Sequence, residues 1–116
     1  MNQRKKDIEQ AKATAKERYD FRCVVCGSEE PFGTCWGPLD GAHIVPTNTP
    51  FRRYDPRDPD NIFPLHRSAH STPGNDSYDE CKTYEKRRDW ILRRVRINQE
   101  VLVNRLGWIY GETEAA

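Results

Sequence analysis

Ala42-His43-Ile44-Val45-Pro46 is followed, after a polar loop, by Asp58-Pro59-Asp60-Asn61-Ile62-Phe63-Pro64-Leu65-His66-Arg67-Ser68-Ala69-His70. Together these two pieces hold all three histidines of the chain. In the first piece, running from Leu39, β-branched residues lead to a proline, the mark of a short strand and its end. The second reads as a turn leading into a helical start. Upstream, Phe21-Arg22-Cys23-Val24-Val25-Cys26-Gly27 is a tight knuckle. The predicted order is knuckle, hairpin, helix. All eight prolines fall between Pro31 and Pro73. The middle is therefore turns and short strands, and the proline-free flanks are helix candidates.

Working outward, residues 2–19 are rich in Ala, Lys, Glu and Gln, good helix formers, with Ile8, Ala11, Ala15 and Tyr19 as a thin apolar stripe. Between residues 77 and 96, Tyr84, Ile91 and Val95 recur on one face. Arg87, Arg88, Arg93, Arg94 and Arg96 surround it. A second short helix is predicted from Gln99 to Leu106, with Gly107 as its C-terminal cap and Trp108 and Ile109 folding back onto the core. At 116 residues the chain has room for one domain. Its expected parts are an N-terminal helix (1–20), the knuckle and hairpin unit (21–76), basic C-terminal helices (77–110) and a frayed tail (111–116).

Only 35% of residues are hydrophobic against 32% charged, so the core is small and calls for an added staple. No run of about 18 apolar residues exists to cross a membrane. The opening Met-Asn-Gln-Arg-Lys-Lys leads into charge instead of an apolar signal region, so a cytoplasmic, unexported protein is expected. In that setting four cysteines read as thiolate metal ligands before disulfides. The net charge of +1 hides an uneven distribution: residues 21–80 carry five Lys/Arg against nine Asp/Glu, residues 81–106 eight against three. Basic flanks suit phosphates, and an acidic centre suits a divalent cation.

Cys23 and Cys26 form C-x2-C before Gly27, a spacing that lets two thiolates converge on one tetrahedral zinc. A redox C-x-x-C would open a helix after a strand, which Gly27-Ser28 does not resemble. The remaining ligands come from His66, Cys81 or Cys35. His66 with Cys81 is the favoured pair, and Cys35 is the alternative fourth ligand.

With these pieces in place, Ala-His43-Ile-Val-Pro and Asn61-Ile-Phe-Pro-Leu-His-Arg-Ser-Ala-His70 resemble the HNH nuclease motif. The family pattern is a histidine before Ile-x-Pro, then Asn-Leu-x-x-Leu-Cys-x-x-Cys-His, and the nine-residue step from Asn61 to His70 fits it. The resemblance covers roughly residues 21–75. It implies an α+β fold with a small ββα-metal core and zinc knuckle, flanked by helices, and a metal-dependent endonuclease acting on DNA, with RNA less expected. It implies His43 as general base, Asn61 as the residue orienting the hairpin or the base, and His70 as ligand of a catalytic Mg²⁺, Mn²⁺ or Ni²⁺. The chemistry agrees independently: phosphodiester hydrolysis needs water deprotonated near neutral pH and a dication for the growing charge.

Two departures stand out. The family usually places Asp or His just before the base, where this chain has Ala42. Asp40, two residues earlier on the same strand face, is the substitute ligand candidate, with Gly41 free to bulge towards the ion; otherwise it is a solvated turn residue. The second knuckle lacks its last cysteine, Ala69 standing there. Closure by Cys81 would tie the C-terminal helix to the catalytic unit. The five arginines of the basic helix are the expected nucleic-acid contacts. A homodimer or a larger phage machine is the expected assembly. A catalytically silent, zinc-stabilised nucleic-acid-binding module is the rival, favoured by Ala42.

Overall fold

Strands β1 (Leu39–His43) and β2 (Ile62–His66) pair antiparallel, from Leu39 opposite His66 to His43 opposite Ile62, without a bulge. This computed structural model describes residues 2–113. The register puts His43 and His66 at opposite ends of one ribbon, so each can serve a different site. All five β2 residues are buried. Side chains alternate across a strand, and both faces are covered: Ile62 packs with Ala11 and Ala15, while Phe63 and Leu65 join the main core.

Helix α1 (Gln3–Arg18) begins where predicted, with Asn2 Oδ1 accepting from the Lys5 amide at 2.8 Å. Its buried alanines let it lie close on the ribbon. The expected bulge at Gly41 is not present. Instead a Cβ there would sit 2.9 Å from Lys12 Cβ and Cγ, so glycine admits the helix to the strand.

Helix α2 (Arg67–His70) follows β2 directly, and its leading amides are satisfied from the segment after Cys35. Arg67 N–H donates to Pro38 O at 2.9 Å and Ser68 N–H to Trp36 O at 3.1 Å. Ser68 Oγ accepts from the Trp36 amide at 2.8 Å. A 3-10 turn at Tyr78–Glu80 comes next, so the predicted basic helix starts late. Cys81 is extended and Thr83 caps α3 (Tyr84–Arg94), its side chain accepting from Lys86 N. Trp90, Ile91 and Val95 are buried from this segment.

Helix α4 (Gln99–Ile109) runs past Gly107, the predicted stop. That glycine is helical, with Thr113 Cγ2 3.3 Å from where a Cβ would be. The chain turns instead at Gly111, at φ +77°. Of the expected frayed tail, residues 114–116 lie outside the described residues. Among the described residues, no helix is long and apolar enough to cross a membrane.

Candidate metal centre and active site

Four side chains meet at the His66 end of the ribbon. The ligand atoms of Cys23, Cys26, Cys35 and His66 all lie within 4.8 Å of one another, and this group could hold a metal ion. Cys23, Cys35 and His66 are buried, and Cys26 is partly so. Metal–sulfur bonds of about 2.3 Å in a tetrahedral site place ligands about 4 Å apart, so the spacing fits. His66 Nε2 lies 2.8 Å from Glu29 O. A carbonyl only accepts, so Nε2 carries the proton and Nδ1 keeps the lone pair. Nδ1 is 3.3 Å from Cys26 Sγ. The ring is thus fixed in the tautomer that a metal requires. Burial, followed by the nearby Cys23 and Cys26, pushes the Cys35 thiol up to about 12; a dication would reverse that preference.

Cys81, the favoured fourth ligand, is not in this group; the alternative, Cys35, is. The reason is the loop after Gly27, which the Trp36–Ser68 bonds pull back beside the start of α2. Cys81 instead lines a shallow cavity with Asp76, Glu80 and Arg93. The C-terminal helices are tied to the knuckle through backbone, with Arg96 N–H donating to Val24 O at 2.8 Å.

At the ribbon's other end, a cleft of about 350 Å³ is lined by His43, His70, Asp79, Lys12, Lys82 and Arg87, among others. His43 Nε2 lies 2.9 Å from Pro56 O, so Nε2 donates and Nδ1 is the ring's acceptor. Burial lowers the pKa of His43 below the ordinary imidazole value; Lys12 and His70 add to this, against the Pro56 bond and Asp79, which raise it. Burial thus favours the neutral ring.

Asn61 is 1% exposed. Its Nδ2 donates to Asp55 O at 2.9 Å and its Oδ1 accepts from Arg105 Nε at 2.7 Å. Asp55 and Pro56 are neighbours, so the two consecutive carbonyls are held by Asn61 and His43. Arg105 also pairs with Asp58 at 3.1 Å and lies over the Trp108 ring at 4.6 Å. Sequence reasoning missed Arg105, because a single arginine on a helix carries no signal of a partner 44 residues away.

Asp40 reaches His70, as the strand face suggested: Oδ2 lies 3.0 Å from Nδ1. Its two oxygens also accept from the Arg67 fork at 2.9 and 3.1 Å. Partial burial works to raise the Asp40 carboxyl, and Arg67 with His70 overcomes it, holding the group below the usual carboxylate range. On the other side of the ring, His70 Nε2 is 3.3 Å from Asp79 Oδ2.

The arginines divide. Arg87 is buried, donates to Tyr110 Oη at 2.9 Å and lines the cleft, so it is not part of a solvated phosphate-facing stripe. Arg93 and Arg94 pair with Asp76 at 2.6 and 3.4 Å. Arg88 and Arg96 are exposed and make no ion pair among the described residues.

No curated protein and no solved structure matches the chain. A family model described as HNH endonuclease matches residues 23–72, from the first knuckle cysteine to just past His70. That span contains the four-residue metal group, His43 at the end of β1, Asn61 just before β2 and His70 at the end of α2, and over it the chain is similar to the HNH endonuclease family.

Proposed function

We propose that the chain is a metal-dependent endonuclease that hydrolyses phosphodiester bonds in DNA, working as a single domain. The observation that carries this reading is the Pro56 carbonyl on His43 Nε2, in a cleft shared with His70. It leaves Nδ1 of a neutral imidazole as the acceptor, the state a general base needs. His43 takes the proton from the attacking water at Nδ1. Asn61 acts through the loop: by holding Asp55 O it positions the next carbonyl, which orients His43. Lys12 and Lys82 line the same cleft and attract the phosphate. Arg88 and Arg96 lengthen the contact with the strand. His70, with a neighbouring carboxylate, would hold a divalent ion such as Mg²⁺, Mn²⁺ or Ni²⁺; the imidazole and carboxylate at the cleft suit such an ion. When bound, that ion stabilises charge on the phosphate and leaving oxygen. In the knuckle, three thiols and an imidazole suit structural zinc.

The test is supercoiled plasmid incubated with EDTA, Mg²⁺, Mn²⁺ or Ni²⁺, beside His43→Ala. Nicked or linear products that require both metal and His43 are expected. A specific observation favours the silent binding module: Ala42, at the family's usual ligand position, is fully buried against the core. A folded, metal-loaded protein that shifts DNA on a gel but cuts it with no ion would establish that second reading.

A further inference from the structure

The cleft raises the question of which carboxylate completes the ion site that Ala42 leaves short. We infer that Asp79 is the second protein ligand of the catalytic ion, beside His70 Nε2, and that Asp40 is a positioning residue behind it. This inference rests on the nuclease reading for its function but not for its geometry.

His70 stands between two carboxylates, Asp40 at Nδ1 and Asp79 at Nε2. A neutral imidazole has one N–H and one lone pair, so the two sides differ in kind. Asp40 is already engaged by the Arg67 fork through both oxygens. An ion on that side would compete with a guanidinium for the same atoms. The consistent arrangement has Nδ1–H donating to Asp40, leaving the lone pair on Nε2, towards Asp79. Ligating histidines are commonly held in this way through the opposite nitrogen. Ligands at about 2.1 Å in octahedral geometry sit about 3 Å from their neighbours, and Nε2 to Asp79 Oδ2 is 3.3 Å.

Placement agrees. Asp79 and His43 line the same cleft, whereas Asp40 lines a separate cavity of about 520 Å³ with Arg67 and Glu9. Only an ion on the Asp79 side shares space with the base. Asp79 is also held firmly. Next to it, Tyr78 is buried between Phe63 and Trp90, and its hydroxyl donates to Ile44 O, the residue after the base. On the other flank, Glu80 Oε1 accepts from Ser77 N and Oγ at 2.8 and 3.0 Å. Asp79 itself stays half-exposed, open to an ion. It lies beyond the segment matched by the family, so motif comparison alone does not reach it.

The test is Mn²⁺ titration of the zinc-loaded protein without DNA, followed by calorimetry and by the loss of the free-ion electron paramagnetic signal. Asp79→Asn and His70→Ala are each expected to weaken Mn²⁺ at least tenfold, with circular dichroism unchanged. Asp79→Cys, with its knuckle first saturated with Cd²⁺, is expected to gain a further cadmium–thiolate charge-transfer band that Asp40→Cys lacks. A purely electrostatic role for Asp79 would not produce that band. Unchanged Mn²⁺ affinity in Asp79→Asn, or the band appearing in Asp40→Cys and not in Asp79→Cys, overturns the assignment. So does a wild-type protein that binds no Mn²⁺. Metal binding through Asp79 without DNA cleavage would overturn the nuclease reading and leave this one standing.

Discussion

The two ends of the β-ribbon bring similar residues together for opposite purposes. At the His66 end, three cysteines and a histidine face one another, mostly buried, with every ligand supplied by protein. At the His43 end, His43, His70 and the carboxylate of Asp79 line a cleft of about 350 Å³. A closed ligand set contributes to folding, and an open one leaves positions for water and substrate. Both use the same device for orientation: a backbone carbonyl fixes Nε2–H of His66 and of His43, leaving Nδ1 as the acceptor nitrogen. What separates them is the setting of Nδ1: at His66 it lies 3.3 Å from the Cys26 thiol, and at His43 the proposed mechanism gives it the proton of the attacking water.

This contrast can be broken most forcefully at the knuckle. Structural zinc is worth on the order of 10 kcal/mol in small domains, so Cys35→Ser is expected to abolish cooperative thermal unfolding and release the metal. Cys81→Ser should keep both, as followed by circular dichroism and a metal-release dye. Equal loss in the two variants would show that the group of four is wrongly composed. At the open end, His43→Ala is expected to cut cleavage about 10²–10⁴-fold while shifting the melting temperature little. A large stability loss would make the two ends alike and remove the comparison.

A smaller effect is expected from Arg105→Ala. It leaves the buried Asn61 Oδ1 without its donor, at a cost of about 1–3 kcal/mol, readable by urea denaturation. The pH profile sharpens the picture further. Because burial lowers the pKa of His43, and the neutral form is the base in the proposed mechanism, kcat/KM should be flat around pH 7. It should fall on acidification only below the ordinary imidazole value of about 6.5. A decline already at pH 7.5 would contradict the buried neutral ring. The smallest effect is expected from Arg88→Ala, which should lower the slope of log K against log salt for DNA binding by about 1.

Local spacing made the knuckle and hairpin legible in the sequence. C-x2-C forces two thiolates together whatever the rest does, and proline punctuation bounds the strand. Cys35 was ambiguous because its loop has no periodicity, and its return depends on Trp36 and Ser68, distant in sequence. The arginine run suggested a uniform charged face. Helical geometry instead turned Arg87 inward and left Arg93 and Arg94 facing Asp76. Gly107 carried the usual signature of a helix stop, but helix α4 continued because its following residues, up to the buried Ile109, still had core to pack against. Asp79 and Arg105 had no local signature at all. Each matters through a partner that only the tertiary fold supplies.

The Arg105–Asn61 bond also bears on the order in which the protein becomes competent during synthesis. Translation delivers the N-terminal part first, so all four residues of the candidate metal group have been synthesised once residue 66 is made. Arg105, which closes on Asn61 and Asp58, arrives much later. The ligand set of the knuckle is therefore complete in the growing chain before the loop that carries Pro56 has its clasp. The order of synthesis thus places the last piece of the His43 loop after every residue of the knuckle, separated by the helices and turns between residues 66 and 105.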